Sequence, residues 1–314
     1  MSLERALELA ERGRGSVDYT HPLVGAVVVR DGEVVGEGWY AGRGTPHAEV
    51  AALLAAGERA RGATLYVTLE PCSHRGDTPP CADAVIEAGV ARVVAGAGDP
   101  NPKVDGKGFE RLRAAGVEVE VLDSWEARAQ NEAWRVWISQ RRPFVTYKVA
   151  ITLDGRVTVP GSRWVSGEQS RRRVHELRAA SDAVAVGMGT VRADDPALTA
   201  REVEVSRQPR RLAFGHGPLP EGSELELRSG DLGEELATLA EEGVRSLLLE
   251  GGPTLAGSFL ARDFVDKLLV FVAPRLSGAG PGPVAALPDP VELRGLSCER
   301  VGDDVLLVAY VHEP

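Results

Sequence analysis

Hydrophobic and polar positions along the first 143 residues predict short strands that alternate with helices. Apolar Leu3, Leu7 and Ala10 recur at helical spacing and predict an amphipathic helix at the start of the chain. The β-branched run 24–30, followed by Asp31-Gly32, is typical of a strand that enters a hairpin. The same reasoning predicts further helices over 47–60, 81–88 and 126–140, and further strands over 33–38, 64–69, 92–97 and 117–121.

A second alternating pattern follows Arg141-Arg142-Pro143, and we expect a domain boundary there, separating residues 1–143 from 144–314. Strands alternating with helices predict an α/β fold in both halves. The Gly- and Pro-rich stretch 275–290 predicts a surface loop. Apolar runs predict the strands of this half over 144–153, 183–186, 211–214, 246–249, 267–272 and 304–311.

Composition narrows the class of partner. The 314 residues favour two domains, and 43% hydrophobic and 26% charged residues are ordinary for a globular protein. The net charge is −10, and acidic residues outnumber basic ones within residues 1–143 as well. Nucleic-acid binding wants a basic surface, so we expect no nucleic-acid partner. No run approaches the ~20 apolar residues of a membrane span, so we expect no membrane partner either.

The three cysteines are too few for a disulfide framework, which favours a reducing, cytoplasmic location. The amino terminus lacks the apolar centre of a signal peptide, in agreement with that location. Cys298 is expected to be a small buried apolar residue.

The other two cysteines belong to a split motif, His47-Ala48-Glu49 followed by Pro71-Cys72 and then Cys81. One imidazole and two thiolates can hold zinc and leave its fourth position for water. A glutamate two residues after the histidine can move the protons of that water. This is the H-x-E…P-C arrangement of zinc-dependent deaminases. The alternatives are a structural zinc site with a fourth ligand elsewhere, or no metal site.

The eight-residue spacer between Cys72 and Cys81 makes the similarity specific. The segments PHAEV, YVTLEPCSHRGDTPPC and DPNPKVDGKGFERLRAAGVEV resemble the deaminase domain of the bifunctional riboflavin-biosynthesis deaminase–reductase family. The resemblance implies a cytidine-deaminase-like three-layer α/β/α domain that deaminates 2,5-diamino-6-(5-phosphoribosylamino)pyrimidin-4(3H)-one, a small phosphorylated pyrimidine.

The same resemblance implies roles for individual residues of this half. It makes His47, Cys72 and Cys81 the zinc ligands and Glu49 the catalytic proton donor. Its substrate contacts are His74, Asp99, Asn101 and, where the family has Asn, His21. Asp77 stands where the family has Lys or Arg, which leaves Arg75 as an alternative phosphate contact.

Three clusters stand out in the second half, at 148–156, 183–201 and 247–260. The last is a strand that runs through Glu250-Gly251-Gly252 into a helix, a junction suited to phosphate, although glycines there often serve only the backbone turn. In this order, behind this deaminase, the clusters resemble the reductase domain of the same family. The resemblance implies a dihydrofolate-reductase-like α/β domain that uses NADPH to reduce the ribosyl group to ribityl.

The resemblance also assigns positions in the reductase half. Its cofactor contacts are Ala150, Trp164, Thr190, Asp194, Gly252, Pro253, Thr254, Leu255, Ala256, Gly257 and Ser258. Its substrate contacts are Ser162, Arg178, Leu198, Arg201 and Glu250, to which we add Lys148 because it shares a strand face with Ala150. Arg178 and Arg201 suit a phosphate dianion because each guanidinium can bind it bidentately.

The second half departs from the family at one strand end. Gly215-His216-Gly217 stands where the family has Asp-Ser or Asp-Thr near the cofactor. Arg210 and Arg211 lie near this strand and could contact a 2′-phosphate, but neither is assigned that role.

Two rival functions follow from the same residues. One is a deaminase of a nucleoside or tRNA base with a non-catalytic second domain. The other is a zinc-stabilised binding module whose second domain serves only for dimerisation. Glu49 speaks against the binding module, since a structural zinc site needs no proton shuttle. Similarity to the family further implies a homodimer or homotetramer.

Overall fold

The computed structural model describes residues 2–17, 20–74 and 79–314. The chain divides into two compact units, residues 1–140 and 141–313, a few residues before the expected boundary. Arg75 and Asp77 lie outside the described residues. Within these ranges no helix is long and apolar enough to span a bilayer.

Within its described residues, the amino-terminal unit contains a five-stranded sheet in the order β2-β1-β3-β4-β5. Strand β1 is antiparallel to β2 and β3, while β3, β4 and β5 are parallel. The elements in chain order are α1 (Ser2–Glu11), β1 (Gly25–Arg30), β2 (Glu33–Trp39), α2 (Ala48–Ala56), β3 (Thr64–Val67), α3 (Cys81–Glu87), β4 (Arg92–Ala95), α4 (Lys107–Ala114), β5 (Glu118–Val121), α5 (Trp125–Gln130) and α6 (Glu132–Gln140).

Helices cover both faces of this sheet. On one face, α2, α3 and α4 bury apolar side chains against β1, β3 and β4. On the other, Ala6 and Leu9 of α1 pack on Val27. The result is the three-layer α/β/α arrangement expected of a cytidine-deaminase-like domain, so the prediction for this half is confirmed.

Two glycines let α2 lie directly on β2. A Cβ atom at Gly36 would stand 2.2 Å from the carbonyl oxygen of Ala52, and one at Gly38 would stand 2.4 Å from that of Ala48. These distances are far below van der Waals contact, so only glycine fits at either position. The first turn of α2 is therefore seated on the sheet by the backbone itself.

The helix predicted over 126–140 is two helices, α5 and α6, interrupted at Asn131. The Asn131 side chain accepts a hydrogen bond from the Leu23 N–H at 2.8 Å and donates one to the Leu23 carbonyl at 2.9 Å. Asparagine competes well for such backbone bonds outside helices, and here it leaves the helical conformation to make them.

The carboxy-terminal unit contains, in its described residues, an eight-stranded sheet in the order β12-β13-β11-β6-β10-β7-β8-β9. Neighbouring strands from β11 to β9 are parallel, and β13 is antiparallel to β11 and β12. The elements are β6 (Phe144–Thr152), α7 (Glu168–Ala180), β7 (Ala183–Gly187), α8 (Met188–Asp194), β8 (Arg210–Phe214), β9 (Glu226–Arg228), α9 (Leu232–Glu241), β10 (Ser246–Leu249), α10 (Pro253–Ala261), β11 (Lys267–Ala273), β12 (Arg294–Val301) and β13 (Asp304–Tyr310).

Helices flank this sheet on both sides, in agreement with the α/β fold predicted for this half. Leu236 of α9 and Phe259 of α10 belong to one core, while Met188 of α8 and Val174 of α7 belong to cores that pack elsewhere on the sheet. Residues 275–290 form neither helix nor strand, as expected of a loop.

The expectation that Cys298 is buried is wrong. Cys298 lies on β12, an edge strand whose residues 294–300 are all exposed. An edge strand has a neighbour on one side only, and in this unit no helix covers β12 within the described residues.

Candidate active sites

The His47, Cys72 and Cys81 side chains converge in the amino-terminal unit. His47 is the residue before α2, Cys72 lies in the loop after β3, and Cys81 is the first residue of α3. The His47 Nδ1 atom is 3.1 Å from Cys81 Sγ and 3.8 Å from Cys72 Sγ. Tetrahedral zinc with bonds of about 2.0–2.3 Å separates its ligand atoms by roughly 3.5–4 Å. The distance to Cys72 matches that spacing, the distance to Cys81 is a few tenths of an ångström shorter, and the three donors are of the kinds that zinc prefers.

The amino end of α3 favours the charged form of one ligand, Cys72. The Cys81 backbone N–H, at the amino end of α3, donates to Cys72 Sγ at 3.3 Å. Hydrogen bonds from the Cys81 thiol and from His47 lower the pKa of Cys72 to about 4, which makes it a thiolate at neutral pH.

Glu49 lies in the first turn of α2, as the second residue of the helix. Its side chain is almost fully buried, at 3% exposure. Burial first, and the Cys72 charge second, raise the pKa of Glu49 to about 7. A carboxyl group with a pKa near the working pH can both take up and release a proton.

The four predicted substrate residues of this half line one cavity of about 1010 Å³, together with His47, Glu49 and Cys72. These four are His21, His74, Asp99 and Asn101. The His21 ring lies 5.4 Å from that of Tyr40, which lies 5.4 Å from that of His47. Burial raises the pKa of Asp99 to about 7.

Glu70, which was not among the predicted site residues, positions the loop that carries Asp99. Glu70 Oε1 accepts hydrogen bonds from the backbone N–H groups of Gly108 and Phe109, and Oε2 accepts them from Gly106 and Asp99. A carboxylate that follows a buried strand, directly before Pro71-Cys72, is the signal that could have identified it. Glu70 ties the loop that carries Asp99 to the loop that carries Cys72.

A second cavity, of about 1020 Å³, lies in the carboxy-terminal unit. It brings together most of the predicted reductase residues: Lys148, Ala150, Trp164, Arg178, Thr190, Asp194, Leu198, Arg201, Glu250, Gly252, Pro253, Thr254 and Leu255. Ser162, Ala256, Gly257 and Ser258 do not line it. Ser162 donates to the Trp164 carbonyl, and Ser258 donates to the Thr254 carbonyl.

Glu250 holds two of the predicted substrate residues of this cavity. Its carboxylate accepts a bidentate pair of hydrogen bonds from Arg178, at 2.6 and 3.0 Å, and lies 3.7 Å from Lys148 Nζ. Burial lowers the pKa of Lys148. The Arg178 fork is thus already used, whereas no carboxylate pairs with Arg201 within the described part of the chain.

The loop that carries Leu198 and Arg201 is strained and clamped. Asp195, Leu198 and Glu202 have φ values of 39°, 52° and 62°, a region that non-glycine residues rarely adopt. The Gln208 amide accepts from the Ala200 N–H and donates to the Ala200 carbonyl, both at 2.9 Å. Gln208, which the sequence analysis missed, therefore holds this loop much as a neighbouring strand would.

The junction between β10 and α10 suits the diphosphate of a dinucleotide. Gly252 is the residue before α10, and no side chain caps the helix there. The N–H groups of Thr254 and Leu255 are in the first turn, where a helix offers no acceptor of its own. Both residues line the cavity, so these donors and the positive end of the helix favour an anion. Pro253 has no N–H and can contribute only its ring.

Each half of the chain matches a known protein family. Residues 2–97 match the cytidine and deoxycytidylate deaminase zinc-binding region, and residues 143–307 match the RibD C-terminal domain. The riboflavin biosynthesis protein RibD of Aquifex aeolicus is 41% identical over 97% of this chain and 96% of its own. The structure of Acinetobacter baumannii RibD superposes with a TM-score of 0.80 at 34% identity, covering 98% and 97% of the two chains.

A third relative carries both activities in its name. The Thermotoga maritima diaminohydroxyphosphoribosylaminopyrimidine deaminase/5-amino-6-(5-phosphoribosylamino)uracil reductase matches with a TM-score of 0.79 at 34% identity, covering 98% and 97% of the two chains. The cofactors of the two halves are zinc for the deaminase and NADPH for the reductase. The chain belongs to the RibD family of bifunctional deaminase–reductases of riboflavin biosynthesis.

Proposed function

We propose that residues 1–143 deaminate 2,5-diamino-6-(5-phosphoribosylamino)pyrimidin-4(3H)-one and that residues 144–314 reduce the ribosyl group of the product to ribityl. The observation that carries the deaminase assignment is the meeting of His47, Cys72 and Cys81 beside buried Glu49 in one cavity. The reductase assignment is supported by the second cavity, which Lys148 and Glu250 line together with the junction before α10.

In the deaminase site, the chain's own residues move protons and orient the ring. Bound zinc would lower the pKa of its water to about 7, from 15.7 in bulk water. Glu49 takes one proton from the attacking water and delivers it to a ring nitrogen; it then takes the proton of the new hydroxyl group and delivers it to the amine, which leaves as ammonia while the ring carbon becomes a carbonyl. Asp99 and Asn101 lie in the loop that Glu70 holds, and they orient the ring. His21 and His74 line the same cavity.

In the reductase site, bound NADPH would supply the hydride for reduction of the open-chain sugar. Lys148 donates a hydrogen bond to the oxygen that gains electron density, and Glu250 holds Lys148 in place. Arg201 binds the substrate phosphate. Arg178, which is tied to Glu250, serves first to position that carboxylate.

The test uses the purified full-length protein loaded with zinc and supplied with the diaminopyrimidinone phosphate. Ammonia release without NADPH, followed by NADPH oxidation only after deamination, is the expected result. NADPH oxidation before any ammonia release would contradict the order, and no ammonia at all would contradict the deaminase assignment.

We further propose that the protein acts in the cytoplasm as a homodimer or homotetramer. All three cysteines are free thiols, and a zinc site built on two of them needs reducing surroundings. Exposed Leu293, Leu296 and Val305 lie on or beside β12 and β13, on a sheet edge that a second copy can cover.

Leu296 offers the sharpest test of self-association, because its side chain is 70% exposed. We expect Leu296→Glu to shift the protein toward monomer in size-exclusion chromatography with light scattering, because a buried charge opposes association. Glu299→Gln, on the same strand, is the control. An unchanged mass for Leu296→Glu would exclude this edge as the interface.

A further inference from the structure

The ends of three parallel strands form one edge of the reductase sheet. Strands β10, β7 and β8 are neighbours and run parallel, so their carboxyl ends meet at this edge. Under the proposed reductase function, β10 leads to the diphosphate junction at Gly252, and β7 leads to Thr190. The next strand, β8, ends in Gly215-His216-Gly217.

The strand order sets the direction of the cofactor. Under the proposed function Lys148 on β6 contacts the reacting oxygen, which places the nicotinamide ring beside β6, and β10 leads to the diphosphate junction. From β6 through β10 and β7 to β8 there are three strand spacings, about 14 Å. A dinucleotide that starts at β6 and crosses β10 therefore carries its adenosine end toward β7 and β8.

The side chain of Arg192, on α8 directly after β7, lies against the segment Gly215-His216-Gly217. Its Nη2 atom donates a hydrogen bond of 2.6 Å to the His216 carbonyl oxygen. Gly217 leaves the room for the guanidinium, because a Cβ atom there would stand 2.8 Å from Nη2. Within the described residues, no carboxylate forms an ion pair with Arg192, and the side chain is exposed.

The other candidate arginines of this region are already paired. Arg210 lies between Glu226 and Glu242, and Arg211 pairs with Glu224. A guanidinium flanked by carboxylates is a poor receptor for a phosphate dianion, because the neighbouring negative charges repel the phosphate. This argues against Arg210 and Arg211 as the residues that recognise a 2′-phosphate.

We propose that Arg192 and His216 bind the 2′-phosphate of NADPH and so determine the preference of the reductase for NADPH over NADH. The Arg192 fork keeps donors beyond the one used by the His216 carbonyl, and these suit phosphate oxygens. His216 itself lies between two glycines with φ values of 129° and 108°, and its imidazole ring is the second donor that this segment offers. This proposal rests on the proposed reductase function. It adds the residues that recognise the 2′-phosphate, the group that distinguishes NADPH from NADH.

The test measures binding directly on the full-length protein, by calorimetry with 2′,5′-ADP and with 5′-AMP. We expect Arg192→Ala to weaken 2′,5′-ADP binding about 10- to 100-fold, the range for losing a hydrogen bond to a charged group. Binding of 5′-AMP stays unchanged, and the ratio of kcat/KM for NADPH to that for NADH falls by the same factor. His216→Ala shows a smaller loss of the same kind, and Arg210→Ala is the matched control with wild-type behaviour.

The outcomes separate this inference from the proposed function. If wild-type protein discriminates between the two probes but Arg192→Ala still does so equally, or Arg210→Ala loses the discrimination instead, the role of Arg192 is overturned. If Arg192→Ala loses both probes to the same extent, the residue does not recognise the 2′-phosphate. If wild-type protein binds neither probe and oxidises no NADPH, the reductase assignment itself fails. Deaminase activity of each variant reports that the chain is folded.

Discussion

Glu49 and the zinc ligands could be predicted from a short motif alone. The H-x-E motif and the two cysteines were sufficient to predict four side chains that the fold brings together. The sequence did not reveal that Glu49 would be nearly inaccessible to solvent, because burial depends on how α2 sits on β2. It also did not reveal that Arg178 would be paired with Glu250, since the two are 72 positions apart.

Glu49→Gln tests the proton-transfer role alone. We expect zinc content near that of the wild type and a loss of deamination of about 10²- to 10⁴-fold, because the amide keeps the shape but transfers no proton. The measurement is ammonia release, with metal content by atomic absorption and reductase activity as internal references. Glu58→Gln, an exposed neighbour after α2, should behave as wild type. Undiminished ammonia release by Glu49→Gln would remove Glu49 from the mechanism.

At the scale of elements, the strong periodic segments were predictable and the weak ones were not. Strand β3 and helix α3, which carry or flank the ligands, follow clear patterns. Edge strands β9 and β12 were missed, because little of either is buried and no apolar alternation marks them. The break between α5 and α6 was missed because its cause, the bond from Asn131 to Leu23, spans 108 positions.

Glu70→Gln tests the clamp between two active-site loops. Replacing one carboxylate oxygen by an NH₂ group places donors against the backbone N–H groups that Glu70 now accepts. We expect the KM of deamination to rise about tenfold, with unchanged zinc content, and the free energy of unfolding to fall by about 1–3 kcal/mol. Glu110→Gln, exposed on α4, is the control. A loss confined to zinc content would instead place Glu70 in support of the ligands.

Asp266 joins the starts of β6 and β11, and its charge gives the unit a pH dependence. The carboxylate is fully buried and accepts two hydrogen bonds of 2.7 Å from Arg142 and one of 2.8 Å from the Val145 N–H. Burial alone would raise the pKa of Asp266, but the hydrogen bonds from Arg142 and His312 outweigh it, so the pKa is lowered. The hydrogen bond to Asp266 raises the pKa of His312.

The pKa shifts of Asp266 and His312 stabilise the folded unit in different pH ranges. The Asp266 contribution is present above its unfolded pKa of about 3.9 and is lost as the pH falls through the lower folded pKa. The His312 contribution is present below about 6.5 and is lost as the pH rises through the higher folded pKa.

Asp266→Asn should therefore destabilise the protein most between about pH 4 and 6.5, by about 3 kcal/mol, because it leaves Arg142 buried without its partner. The check is urea unfolding across pH, with exposed Asp303→Asn as the reference. A difference from wild type that does not change with pH would show that packing, not charge, is what Asp266 contributes.

Each of the two active-site cavities is lined by residues of one unit only. Removal of zinc with a chelator should therefore abolish deamination while reduction of the already deaminated compound continues. Arg201→Ala should raise the reductase KM about tenfold or more and leave ammonia release unchanged, because it loses a charged phosphate contact. Assaying both half-reactions on each sample checks this, and parallel loss of the two activities would point to a shared site or to unfolding.

The seating of α2 on Gly36 and Gly38 has a practical consequence for anyone who wishes to retarget the deaminase to another ring. Neither glycine lines the substrate cavity, so a library that randomises only the cavity would leave them alone, and one that randomises β2 would include them. Any side chain at Gly38 would push the start of the helix outward, and the histidine just before that start would move with it. Libraries that vary β2 should therefore keep both glycines, or metal affinity will be lost before a new substrate can be selected.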